Sequence, residues 1–279
     1  MTAEVPARAV PGMRGPAAPA GEGERKRDGA RSALVWDVLR DVVAERAART
    51  GRAALDIVDV GGGTGGFAVP FAALGHRVTV VDPSPDALAA AQRRAAEVPV
   101  ALTAVQGEAD GLDGLVGEAA ADLVICHSVL EYVDSPDGAM AAIARVLRPG
   151  AAVSVLAANV VAAVLHRALA GRYAEARHLL TAEEAAPAGP AGPAGPAGPA
   201  GPAGPGTPRR FTLASLTALI EGAGLRPGAA HGIRIFSGLL PGAGADPVTA
   251  DDLRALEEAA AVYPALRDIA ARLHLLGYR

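Results

Sequence analysis

Two aspartates with a run of glycines between them are the residues here whose types and spacing most clearly imply chemistry. Asp59 precedes Gly61, Gly62, Gly63, Gly65 and Gly66, which only Thr64 interrupts, and Asp82 lies 21 residues beyond Gly61. Glycines let the backbone turn tightly and let a ligand approach without meeting a Cβ. A carboxylate at the position of Asp82 can accept both hydroxyls of a ribose, and each hydrogen bond to a charged group is worth roughly 1.5–3 kcal/mol. His127 stands apart from this group as a candidate base, and Asn159 and Arg234 as candidates to orient a carboxylate on a second ligand, since a guanidinium fork matches that group.

The elements that must position these residues follow from the flanking pattern. Leu55 to Val60 is a short apolar run of the length and β-branching of a buried parallel strand. Phe67 to Leu74 reads as a helix closed by Gly75, and Val78 to Val81 as a second strand ending at Asp82. Strand, glycine turn, helix, strand and terminal acid make a βαβ unit suited to a nucleoside. The start of the helix would point free N–H groups and partial positive charge at the turn.

The glycines alone leave two ligand classes open. Gly61, Gly63 and Gly66 satisfy the dinucleotide pattern G-x-G-x-x-G. With Asp59 the same stretch reads D-x-G-x-G-x-G, a pattern of S-adenosylmethionine (SAM) methyltransferases. A carboxylate at the end of the first strand would repel a pyrophosphate and attract a cationic amino-acid ligand. Asp59 therefore favours SAM over a nicotinamide cofactor.

Downstream, Pro85 to Glu97 reads as a helix capped by Ser84, Val100 to Val105 as a strand, and Ala121 to Cys126 as another that leads into His127. Pro136 to Leu147 is a helix stopped by Arg148-Pro149-Gly150, and Ala151 to Ala157 a fifth strand. This alternation implies a parallel sheet with both faces covered. A helix from Arg31 to Arg49 precedes it. Val160 to Leu180 is a helical insertion, Leu213 to Glu221 a helix capped by Thr212, and Leu225 to Phe236 carries strand-like pieces. Asp251 to Leu276 reads as helix kinked at Pro264.

Composition narrows the classes. Half-hydrophobic content (51%) supplies a sizeable core, and a net charge of −4 gives no global attraction to nucleic acid or acidic membranes. Cys126 is the sole cysteine, so an internal disulfide and a cysteine-rich metal site are excluded. His166, His178 and His274 show no metal spacing. The opening MTAEVPARAVPG lacks an apolar leader core, and no apolar run reaches the ~20 residues of a membrane span, so cytoplasm is the expected compartment. Residues 1–24 and the 182–208 segment, with six Ala-Gly-Pro units from Ala188 to Pro205, are expected to be disordered or extended around one domain spanning 25–279.

Three stretches together resemble the class I SAM-dependent methyltransferases: Asp59 to Gly65, Ala121 to Val133 (ADLVICHSVLEYV) and Val146 to Gly150 (VLRPG). The resemblance implies a Rossmann-like, mostly parallel seven-stranded sheet flanked by helices, with helical lid additions and SAM as cofactor. RSALVWDVL from Arg31, HSVLEYV from His127 and HGIRIF from His231 look like the bacterial tRNA carboxymethoxyuridine methyltransferase group. By that likeness Arg31 would meet the SAM carboxylate, Gly61 to Gly63 its amino-acid moiety and Asp82 its ribose. Ala109 and Asp110 would border the adenine, and His127 would line the pocket. The implied partner is a methyl acceptor, either a small molecule or tRNA. A nicotinamide oxidoreductase and a non-catalytic SAM- or nucleotide-sensing module are the alternatives.

Overall fold

The computed structural model describes residues 22–98, 100–184, 208–239 and 247–279; side chains of 22–32, 182–184 and 247–248 are outside that description. The Ala-Gly-Pro repeats and most of the N-terminal tail therefore lie outside the described residues, as does the side chain of Arg31. The expected alternation is present. Helix α1 (Glu22–Thr50) is followed by β1 (Asp56–Val60), α2 (Ala68–Ala73), β2 (Arg77–Asp82), α3 (Pro85–Glu97) and β3 (Thr103–Gln106). Then come α4 (Leu112–Val116), β4 (Ala121–His127), α5 (Pro136–Val146) and β5 (Leu147–Ala158). The remainder comprises α6 (Val160–Leu169), α7 (Tyr173–Glu184), α8 (Leu213–Gly222), β6 (Arg226–Ile233), α9 (Phe236–Leu239), α10 (Pro247–Ala261), α11 (Pro264–Arg267) and β7 (Arg272–Tyr278).

The seven strands form one sheet in the order β3-β2-β1-β4-β5-β7-β6. Strands β1 to β5 are parallel, and β7 runs antiparallel between β5 and β6. A dinucleotide-binding sheet is ordered 3-2-1-4-5-6, so the inserted antiparallel strand sets this sheet apart. Reading Asp251 to Leu276 as helix was wrong beyond Arg267. Leu273, His274, Leu275 and Leu276 lack β-branching and suit a helix by propensity, but the open edges of β5 and β6 offer a strand two ladders. Tertiary pairing overrides local preference there. α1 also starts at Glu22 rather than Arg31.

Both faces of the sheet are covered. On one, Val58, Val124, Val153 and Leu275 meet Met140 and Ile143 of α5 and Leu216 and Ile220 of α8. On the other, Ile57, Leu123 and Ile125 meet Val35, Leu39 and Val43 of α1 and Phe71 of α2. Trp36 stacks at a tilt on Phe71, with ring centroids 4.5 Å apart. Each such buried side chain contributes about 1.5–3 kcal/mol, and together they fix α1 across β1 and β4. Cys126 is fully buried in this core, and burial pushes its thiol well above the usual range, so it is inert.

At the N-terminal ends of the strands a polar cluster closes the sheet. Asp122, whose side chain is 0% exposed, accepts from Arg46 (3.1 Å), Arg52 (2.8 Å), Arg148 (2.8 Å) and the Asp56 N–H (3.0 Å). Asp56 is held by Arg52 and Arg77, and although burial opposes it, those guanidiniums with Arg148 bring its carboxyl down to about 2.

Candidate active site

The cleft opens above the carboxyl ends of β1, β2 and β4, where strand direction and the switch in sheet order leave a crevice. It measures about 400 Å³, within the range of small-molecule sites, and its walls include Gly61, Asp82, Ala109, Asp110, Ser128 and Tyr132. The sequence thus placed Gly61, Asp82, Ala109 and Asp110 on one cleft. Asp82 is the best-oriented of them. Its Oδ2 accepts the Gly63 N–H and its Oδ1 the Ser84 N–H, both at 2.9 Å. Each oxygen keeps a further lone pair, so the carboxylate is rigid and still able to accept from a ligand.

The glycine turn is shaped by what lies against it. Gly61 has φ +63°, its N–H donates to the Val81 carbonyl at 2.7 Å, and a Cβ there would meet Val129 at 2.4 Å. A Cβ on Gly62 would strike the Asp59 carboxyl at 2.7 Å. Asp59 therefore sits beneath the turn, accepting the Ala68 N–H, and is absent from the cleft wall. Burial, with a smaller push from Asp82, raises its carboxyl to about 7. Its part is to brace the turn from below; the carboxylate exposed to a ligand is Asp82. Gly63 and Gly65 complete the turn with φ of 53° and 78°. The helix behind it is only six residues long, so its dipole adds little.

The residues nominated as catalytic are placed differently from one another. His127 ends β4 with its ring edge-on to Phe67, centroids 4.9 Å apart. Burial, then the nearby Arg272 charge, lowers its pKa to about 3. A base that weak is unprotonated at neutral pH and poorly suited to take up a proton during turnover, and the cleft wall does not include His127, although Ser128 beside it is part of that wall. Asn159 is buried and fully committed. Its Nδ2 donates to the Asp268 and Ala270 carbonyls (2.9 and 2.8 Å), and its Oδ1 accepts the Val161 N–H at the start of α6 (3.0 Å). It pins α6 to the segment before β7, and with both amide hydrogens used it has no donor left for an acceptor carboxylate. Arg234 follows β6 at the far edge of the sheet, in left-handed backbone (φ 61°), with its carbonyl accepting the Ala271 N–H. The cleft wall does not include it.

Ser128 and Tyr132 line the cleft without having been assigned a role from sequence, and Arg272 and Glu131 lie close behind them. Ser128 is a non-glycine residue at φ 59° immediately after β4, a sparsely populated conformation that clusters at functional sites. The Arg272 guanidinium donates to its Oγ. Glu131, buried, accepts the Ala158 N–H at 2.9 Å through Oε1 while Oε2 has no hydrogen-bond partner, and burial raises its pKa. Tyr132 is 71% exposed at the rim. Arg272 was hidden because its strand read as helix. Ser128 and Tyr132 lay in a quoted motif, but only backbone angles and exposure single them out. Of the adjacent arginines, Arg209 anchors the chain to the Val133 and Asp134 carbonyls. Arg210 lies near Glu131, Tyr132 and Arg167, with burial the main influence lowering its pKa.

Strand order, turn and cleft together define a class. Residues 58–155 match the family model described as a methyltransferase domain, and the chain has the fold of the class I, SAM-dependent methyltransferases. A SAM-dependent methyltransferase from Mesorhizobium loti superposes with a TM-score of 0.54 over 90% of this chain and 99% of that one, at 21% identity. Magnesium protoporphyrin IX methyltransferase from Synechocystis, solved with bound S-adenosylhomocysteine (SAH), gives 0.56 over 95% and 90%, at 16% identity.

Among curated proteins, the tRNA 5-carboxymethoxyuridine methyltransferase of Escherichia coli is 32% identical over 149 residues, 51% of this chain and 54% of that protein. The ubiquinone biosynthesis O-methyltransferase of Methylocella silvestris is 36% identical over 97 residues, 34% of this chain and 37% of that protein. The chain thus spans about half the length of the first of these relatives and less of the second.

Proposed function

We propose that this chain transfers the sulfonium methyl group of SAM to an acceptor that reaches the cleft past Tyr132. The observation that carries this reading is Asp82, a carboxylate fixed by two backbone N–H groups on the cleft wall with lone pairs to spare for a ribose. The turn at Gly61 to Gly63 would hold the amino-acid moiety, and Ala109 with Asp110 would border the adenine. The fit of the residues to SAM rests on a cleft of about 400 Å³ whose walls bring Gly61, Asp82, Ala109 and Asp110 together.

When bound, SAM supplies an electrophilic methyl carbon. The chain's own contribution is positioning, which can supply roughly 7–11 kcal/mol of a displacement barrier. The acceptor's lone pair forms the new bond to the methyl carbon as the carbon–sulfur bond breaks, leaving SAH. A carboxylate acceptor needs no base. For a hydroxyl or amine acceptor, Glu131, the buried neighbour of Tyr132, has a raised pKa that suits it to take up a proton, whereas His127 is too weak a base.

Two acceptor classes fit the relatives' names: a modified tRNA nucleoside, or a small-molecule carboxylate or hydroxyl. Among the described residues no helix is long and apolar enough to cross a membrane, which accords with a cytoplasmic enzyme. Calorimetric titration with SAM, SAH and NAD tests the cofactor: SAM and SAH should bind, and binding of NAD alone overturns the proposal. Transfer of radiolabel from SAM into bulk tRNA or a panel of small acids and phenols then separates the acceptors. Binding without transfer to any of them would point to the sensing module.

A further inference from the structure

Four buried polar side chains cross the sheet in a single line, and the methyl-transfer reading uses only one of them. His127 on β4 bonds through Nε2 to Ser154 Oγ on β5 (2.7 Å), and the same hydroxyl meets His274 Nε2 on β7 (2.8 Å). His274 Nδ1 in turn meets His231 Nδ1 on β6 at 3.1 Å, the two rings stacked with centroids 5.3 Å apart. Ser154 and His274 are completely buried. The line runs from the sheet's far edge to the residue preceding Ser128 on the cleft wall. Its inner terminus, His127 Nδ1, is buried and has no hydrogen-bond partner.

Proton counting restricts such a line severely. A hydroxyl carries one hydrogen, so Ser154 donates to one histidine and accepts from the other. If both rings donated, its own hydrogen would be left buried without a partner, which costs about 1–3 kcal/mol. The His274–His231 contact likewise holds one hydrogen. Burial lowers the pKa of all three imidazoles, so each is neutral and carries a single N–H. Only two arrangements remain, and they are mirror images. Either every bond points away from His127 and leaves a lone pair at its Nδ1, or every bond points towards it and leaves an N–H there.

An orphaned buried N–H is rarer than an under-used acceptor, and the positive charge of Arg272 next to His127 disfavours a hydrogen there. We infer that Ser154, His274 and His231 are positioning residues that hold His127 as the Nε2–H tautomer, so that its unpartnered Nδ1, next to the cleft-wall residue Ser128, is a hydrogen-bond acceptor for a donor group on the bound ligand. Such an acceptor suits a neutral N–H or O–H group, since Arg272 opposes further positive charge there, and disfavours a carboxylate or phosphate at the same spot. The ligand part of this inference rests on the SAM reading; the tautomer does not.

The tautomers are directly measurable by long-range proton–nitrogen NMR on the full chain labelled with nitrogen-15 at histidine. At pH 7 the expected pattern is Nε2–H on His127, Nδ1–H on His274 and Nε2–H on His231. An Nδ1–H or charged His127 overturns the inference. Ser154→Ala should leave the fold intact and release His127 into a mixture of tautomers, with SAH binding weakened roughly fivefold or more. An unchanged His127 signal in that variant also overturns it. His231→Asp, which can only accept, should keep the wild-type tautomer of His127; should Ser154→Ala fail to fold, His231→Leu at the sheet edge tests the same coupling by releasing it. If the tautomers are as stated but the wild type binds no SAH, the relay stands and the SAM reading is what fails.

Discussion

The two ends of the sheet hold buried acids in opposite conditions. At the N-terminal ends Asp122 is surrounded by Arg46, Arg52 and Arg148 and accepts a backbone N–H, and Asp56 is paired beside it. Every charge there is answered. At the C-terminal ends Asp59 and Glu131 are pushed towards the neutral form, His127 Nδ1 and Glu131 Oε2 lack partners, and Ser128 is in left-handed backbone. One end is satisfied within the chain; the other is left for a ligand to complete. The difference shows where folding stability and binding capacity reside on the same strands.

Breaking the satisfied end should have the largest effect on stability. Asp122→Ala leaves three guanidiniums facing one another around a buried hole, and should cost about 3–5 kcal/mol in urea unfolding. At the open end, Asp82→Ala should act on binding, weakening SAH by about 1.5–3 kcal/mol, or roughly 10–100-fold by calorimetry. It also frees the Gly63 and Ser84 N–H groups, so a smaller stability loss of about 1 kcal/mol should accompany it.

The pH response should sharpen the contrast because its sign differs between the ends. Asp59 has a folded pKa of about 7 against an ordinary value near 4. Its favourable contribution is therefore full below about pH 4 and is lost as the pH climbs towards 7. Relative to wild type, Asp59→Asn should gain stability across that window, by at least about 1.4 kcal/mol, which corresponds to one pKa unit. Asp56, lowered to about 2, behaves oppositely: its contribution is present above about pH 4 and disappears as the pH falls through 2. Urea unfolding of the wild type, Asp59→Asn and Asp56→Asn between pH 2 and 8 measures the two slopes. The smallest expected effect on stability is that of Tyr132→Ala, within about 0.5 kcal/mol because the ring is exposed, while the acceptor KM should rise.

How much of this was legible in the sequence also divides along the sheet. β1, β2 and β4 are legible as β-branched runs, with glycine turns after β1 and before β2, and Ser84 and Thr212 cap α3 and α8 as expected, accepting the Ala87 and Ser215 N–H groups. Asp82 and Gly61 were legible because both belong to one contiguous βαβ unit, whereas Ala109 and Asp110 came only from the resemblance to the methyltransferase group; all four lie on the cleft wall. Asp59 was placed on the right strand but assigned the wrong neighbour, since sequence spacing does not say whether a carboxyl points over a turn or under it. The C-terminal half was harder. β7 carries leucine and histidine rather than valine and isoleucine, and its pairing is dictated by strands far away in the chain. Arg272, Asn159 and the histidine line all depend on that strand, so one misread element concealed the roles of each.

The position of β7 also affects the order in which the molecule can be completed. During synthesis the parallel strands β1 to β5 emerge first and can begin to associate, but β6 leaves the ribosome with nothing to pair with. Its neighbour β7 is made later, after α9, α10 and α11, and only then can β6 be joined to β5 through it. Until then both β5 and β6 expose unpaired edges, which invite association with other chains. Closure of the sheet is thus a late step, and the arrangement around Arg272 and His274 comes into being only with it.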